Sequence, residues 1–303
     1  MASVRLSPAL KSLIKAPRAQ PGPVPVPSAT ATLNLFDGLA RSATANGLGP
    51  ATWLTLSGAA LVTLNSPATL CALYSYATKD LEPGPNRAHA ASQVAAILRE
   101  AGLKSISFSG IPRAINSLGA LRNHLEPEVA QRLSTKPTRE QSPETVQQVL
   151  SSATTLWNSI YDPHSQKLLE KLSESHPDLP VHILSSHYGP LLADPLPRAL
   201  RGHAKVGRVL TSVVAIACLR AQGGVGPQVT SHVFGLRKSL ERQPSRTDQS
   251  KTTIRKGEEE EEEVQGQDWL ASEQGCEWVL EQVDRIVEVV AGSQSTFATR
   301  AKL

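Results

Sequence analysis

Aromatic residues make up only 4% of the 303-residue chain. That is too few to interleave with its basic residues as the stacking platform of a nucleic-acid binder. The net charge of +4 is carried by scattered lysines and arginines, so neither DNA nor RNA is an expected partner. Cysteine is also scarce: Cys71, Cys218 and Cys276 lie far apart with no CxxC pair. They read as buried free thiols of a reducing compartment and not as a disulfide or zinc framework. His182 and His187 are five apart without an acidic partner in ligand spacing, so no metal site is expected. No cofactor is called for either.

Charge is missing altogether from Ser42 to Thr78. The run is long enough in principle to cross a bilayer, yet Asn65, Ser66 and Pro67 interrupt it and no basic cluster flanks it. Two short core helices separated by a proline corner are expected, with no membrane span. Acid is absent before Asp37. There, Arg5, Lys11, Lys15 and Arg18 accompany Leu6, Leu10, Leu13 and Ile14, a combination compatible with a mitochondrial presequence. The prolines between 17 and 27 then predict a disordered arm over residues 1–36.

Along most of the remaining chain apolar residues recur with a period near 3.6, which predicts an all-α protein. A helix is expected from the cap at Asn86 to Gly102. Another opens at Pro112, with Ile115, Leu118 and Leu125 turned inward and Arg113 and Asn116 projecting near its start. Ser142, Pro143 and Glu144 announce an amphipathic helix running to Ile160, whose stripe is one candidate surface for self-association. Segments near 181–200 read as helical pieces cut by Pro190, Pro195 and Pro197. Between 241 and 267 core residues almost vanish and Glu258 to Glu263 form an unbroken acidic run, predicting a disordered insertion. Order is expected to resume at Trp269 with a last helix burying Cys276, Val279, Leu280, Val283, Ile286, Val287 and Val290.

The organising stretch is Arg208–Leu240, two apolar helices joined by Gly223, Gly224, Val225 and Gly226. Pro227 can open the second helix where its missing N–H costs nothing. Gln228 and His232, four apart, should share a side of that helix, facing a small backbone corner. The chain closes on Ala301, Lys302 and Leu303, a close variant of the Ser-Lys-Leu address read by the peroxisomal import receptor.

The stretches SISFSGIPRAINSLGALR and VAIACLRAQGGVGPQVTSHVFGLRK resemble the helical module of the alkylhydroperoxidase-like, or carboxymuconolactone decarboxylase-like, superfamily. With the C-terminal address, the chain is similar to fungal peroxisomal proteins built on that fold. A weak internal echo, LVTLNSPATLCALYSYA against VAIACLRAQGGVGPQVTSHVFGLR, suggests two related modules, 37–135 and 206–291, joined by connecting helices over 136–205 and followed by a tail, 292–303. The resemblance implies a homo-oligomer. Its peroxidase branch needs cysteines at the positions held here by Val225 and Gln228, so CxxC peroxidase chemistry is excluded. Its decarboxylase branch implies His232 as proton carrier, Gln228 as polarising donor and Ser231 close by. Arg113, Asn116, Gly224 and Gly226 are then candidate contacts for a small acid or acyl substrate. The competing expectation is a non-catalytic helical binding or assembly protein. Delivery to the peroxisome matrix leads, with the mitochondrion as alternative.

Overall fold

The computed structural model describes residues 5–20, 22–84, 86–195, 206–240 and 264–292, and every regular element among them is helical. The uncharged stretch folds as α3 (Pro50–Thr63) and α4 (Pro67–Thr78), each with proline in its first turn. Asn65, at φ 54, makes the corner between them. Among the described residues no helix is long and apolar enough to cross a membrane. Every residue of α3 from Thr52 to Thr63 is buried, because the helix runs through the middle of the molecule. It packs there against α12 (Arg208–Gln222), which is buried almost throughout from Val209 to Ala221.

Around this central pair stand α2 (Ala29–Ala45), α4, α5 (Arg87–Lys104), α7 (Ile111–His124), α13 (Gly226–Arg237) and α15 (Glu273–Ala291). Short helices α6 (Ile106–Ser109), α8 (Pro127–Ala130) and α14 (Gln267–Leu270) turn the corners. One aliphatic core runs continuously from Leu35 through Leu61, Leu98 and Val213 to Ile286, so the stretches on either side of the connecting segment share an interior. A second, smaller cluster lies between α9 (Val146–Tyr161), α10 (Ser165–Ser175) and the segment after α11 (Asp178–His182).

Several expectations are corrected. The proline-rich arm is not structureless: α1 (Pro8–Ile14) is capped by the Ser7 hydroxyl, and α2 begins at Ala29. The strap between them is pinned where the Val24 N–H donates to Asn65 O and the Ser66 hydroxyl donates to Val24 O. Extended backbone that proline favours can still be satisfied by a neighbouring corner. In α7 the buried residues are Ala114, Ser117 and Leu121, whereas Ile115 is 65% exposed. Leu125 is buried and Leu118 half-buried as expected, so only Ile115 departs from the expected stripe.

The Ser142–Thr145 stretch is a turn, closed by mutual hydroxyl bonds, and α9 starts at Val146. Its apolar stripe is covered by the protein's own residues 183–192, so it is not a free assembly surface. Pro190 does not cut that covering segment. Ile183–Leu192 continues as a π-helix, whose wider turn accommodates the missing N–H. Val264, five residues before the expected Trp269, already packs against the core. Most of the expected acidic insertion, 241–263, and the tail with Ala301, Lys302 and Leu303 lie outside the described residues.

Candidate functional site

The corner joining α12 to α13 is made by Gly223 and Gly224, at φ 70 and 73, a region that side chains other than hydrogen strongly disfavour. Two successive left-handed residues turn the chain through the corner, and Pro227 restarts the helix. The turn opens a groove of about 730 Å³ between the end of α12, the start of α13 and the first turns of α15. Its wall is apolar, formed by Leu219, Val229, Val233 and Leu280, with Phe234 at the rim and 57% exposed. Gly224 and Gly226 line it as the sequence suggested.

The charged side chains lining this groove are all exposed, whereas its aliphatic wall is buried or half-buried. Arg220 grips Asp284 through two bonds of 2.7 Å, and the carboxylate raises the guanidinium's proton affinity further. Arg237, Glu273 and Glu277 complete the lining. Cys276 is the one sulfur there, and burial pushes its thiol up to about 11. It therefore stays protonated at neutral pH and is a poor nucleophile. This arrangement can hold an apolar body and orient a charged end.

His232 lies on another side of α13. It is buried, and it does not line the groove. Its ring meets Phe108 and Tyr161 edge-on, with centroids 5.6 and 6.0 Å away. The Tyr161 hydroxyl stands 3.4 Å from Nε2 and 2.8 Å from the Tyr188 hydroxyl, while Trp157 packs against both tyrosines. Burial, then the charge of Arg208, lowers the imidazole pKa to about 3, so the ring is neutral. Burial raises both tyrosines, which remain phenols. Nδ1 meets no partner among the described residues.

Gln228, by contrast, is exposed. The expected convergence of amide and imidazole does not occur: four residues of helix give neighbouring positions, but the aromatic cluster draws only His232 inward. The Ser231 hydroxyl turns back to Pro227 O at 3.1 Å. Arg113 donates to Thr63 O at 2.6 Å and Asn116 to Asn65 Oδ1 at 3.0 Å, which fastens α7 to the α3–α4 corner. Neither lines the groove.

A peroxisomal relative matches. The chain is 34% identical over 163 residues to Peroxisomal protein 2 of Saccharomyces cerevisiae, a stretch covering 47% of this chain and 54% of the relative. The chain thus spans about half the length of the curated relative it matches. No protein-family profile matches the chain. No solved structure matches it either.

One buried and one half-buried cation, Lys104 and Arg208, carry no signal in the local sequence. Lys104 is fully enclosed, donating to Leu192 O, Val206 O and Thr211 Oγ1 at 2.7–2.9 Å, with the Asp194 carboxylate 3.7 Å away. Arg208 bonds Ser159, Ser212 and Gly235, joining the start of α12 to α9 and α13. Both clasp backbone carbonyls that would otherwise be costly to bury. The partners of Lys104 lie 88 to 107 residues away, so nothing local in its helix distinguishes it from an ordinary last-turn lysine.

Proposed function

We propose that the protein is a peroxisomal helical binding protein that seats a small amphipathic molecule, such as an acyl compound or hydrophobic acid, in the groove at the glycine corner. Two independent features support the compartment: the likeness to Peroxisomal protein 2 and the C-terminal Ala301-Lys302-Leu303, an address the import receptor reads. The observation that carries the binding role is the division of labour across α13. The groove has an apolar wall and exposed charged side chains, while the helix's histidine is sealed on another side among neutral phenols. An apolar pocket with a few polar groups at its margin is the common form of a small-molecule site.

Helix, glycine corner and helix at α12–α13 resemble the alkylhydroperoxidase-like module. The α3–α4 pair repeats the order, and its first helix packs on α12. Val225 and Gln228 occupy the places of the redox thiols, consistent with a scaffold that binds without peroxidase chemistry.

A metabolite screen on the purified protein, read by thermal shift, tests this. A stabilising ligand should lose its effect in Thr230→Trp, which fills the groove from an exposed position, and keep it in His232→Gln. Survival of the shift in the tryptophan variant would refute the groove as the seat. A second reading, decarboxylase- or isomerase-like proton transfer by His232, draws on one feature: a neutral imidazole beside a Tyr161–Tyr188 hydroxyl pair with Nδ1 uncommitted. It requires a turnover that His232→Gln abolishes and Thr230→Trp only weakens.

A further inference from the structure

The amino-terminal helix keeps no residue for the core. None of the side chains of α1 is buried, and Leu6, Leu10, Leu13 and Ile14 are exposed by 44–70%. This is the densest run of large exposed aliphatics among the described residues. At about 100° per residue, Leu10, Leu13 and Ile14 fall on one stripe of the helix, with Lys11 and Lys15 on its flank. Arg5 and Arg18 extend the positive charge to either end, and all four basic residues are exposed. No acidic residue precedes Asp37.

The strap that follows behaves in the opposite way. Val24 is packed on the core and bonded to Asn65 and Ser66. The chain is thus fastened just after a helix whose apolar stripe is left facing out. A protein interior would not call for four cations beside that stripe, whereas an acidic lipid surface would. The aliphatic side chains enter the acyl boundary while lysine and arginine meet phosphate headgroups.

We propose that residues 5–18 form a reversible anchor for an anionic phospholipid surface, holding the helical body beside a membrane that none of its described helices crosses. Shallow burial of three or four aliphatics is weak alone, and so is the charge alone. Together they supply the two signals that stable peripheral binding needs. The proposal does not depend on the groove or on its ligand.

Co-sedimentation of the full chain with vesicles tests it, using phosphatidylcholine alone and phosphatidylcholine mixed with phosphatidylinositol. The wild type should pellet with the mixed vesicles, stay in solution with the neutral ones, and be released from the former by salt. Lys11→Gln with Lys15→Gln should weaken binding on the order of tenfold or more. Leu10→Ser with Leu13→Ser should abolish it even at low salt. Melting temperature should be unchanged in both variants, because α1 contributes nothing to the interior. The idea is overturned if the wild type ignores acidic vesicles, as expected of a helix made for a groove on another protein. It is equally overturned if either double variant pellets like the wild type.

Discussion

His232 makes the acid limb of the stability curve readable at a single residue. Its folded pKa is about 3, against roughly 6.5 for an ordinary imidazole. Above pH 6.5 folded and unfolded forms are both neutral, and the residue contributes no pH dependence. As pH falls below that value the unfolded chain takes up a proton that the buried ring, enclosed beside Phe108 and Tyr161, refuses. Stability then declines by about 1.4 kcal/mol per pH unit until the folded pKa is reached. The charge of nearby Arg208 deepens the effect. The carboxyls of Asp37, Glu126 and Glu144, held below their usual range, add losses at still lower pH. Those losses are common to wild type and variant. Urea titrations of His232→Gln at pH 7 and pH 4.5 should therefore show the variant gaining about 2 to 3 kcal/mol relative to wild type on acidification. Parallel curves would mean that the ring is solvated.

Among the elements, the closest approach in the interior comes where α14 meets α15. A Cβ on Gly275 would sit 2.1 Å from Trp269 O and 2.5 Å from Leu270 O, both backbone atoms. The Gly275 N–H is also the donor that the Ser272 cap receives. Gly275→Ala must push the start of α15 off α14, and we expect a loss of about 1 to 3 kcal/mol in chemical denaturation. An unchanged midpoint would show that the corner gives way freely. The glycine could be seen in the sequence but its role could not, since it lies within a regular apolar period that reads as helix. The same limit explains the other differences. Period and proline spacing were enough to reveal α3, α4, α12, α13 and the glycine corner, because those signals are local. Which face of α7 turns inward, and that residues 183–192 cover α9, depends on what each element meets. Gln228 and His232 parted for the same reason: spacing assigns both to one side of a helix, and only the tyrosines of the connecting segment decide which one is buried.

At the scale of the whole molecule, one core draws on helices from both sides of the connecting segment, and the sequence signals that bear on location in the cell stand at the two ends of the chain. Two ends make opposing claims. The basic, aliphatic α1 is the kind of segment a mitochondrial import route accepts, while Ala301-Lys302-Leu303 resembles the Ser-Lys-Leu address and is the proposed peroxisomal signal. If that proposal holds, deleting Leu303 removes the address and leaves every described contact intact. Tagged at the amino end, the deleted form should leave peroxisomes for the cytosol, while the full chain stays peroxisomal. A carboxyl-terminal tag should mimic the deletion. If the deleted form moves to mitochondria instead, α1 is a working presequence that the peroxisomal address normally overrides. Persistence in peroxisomes would mean that import rests on a surface of the folded body.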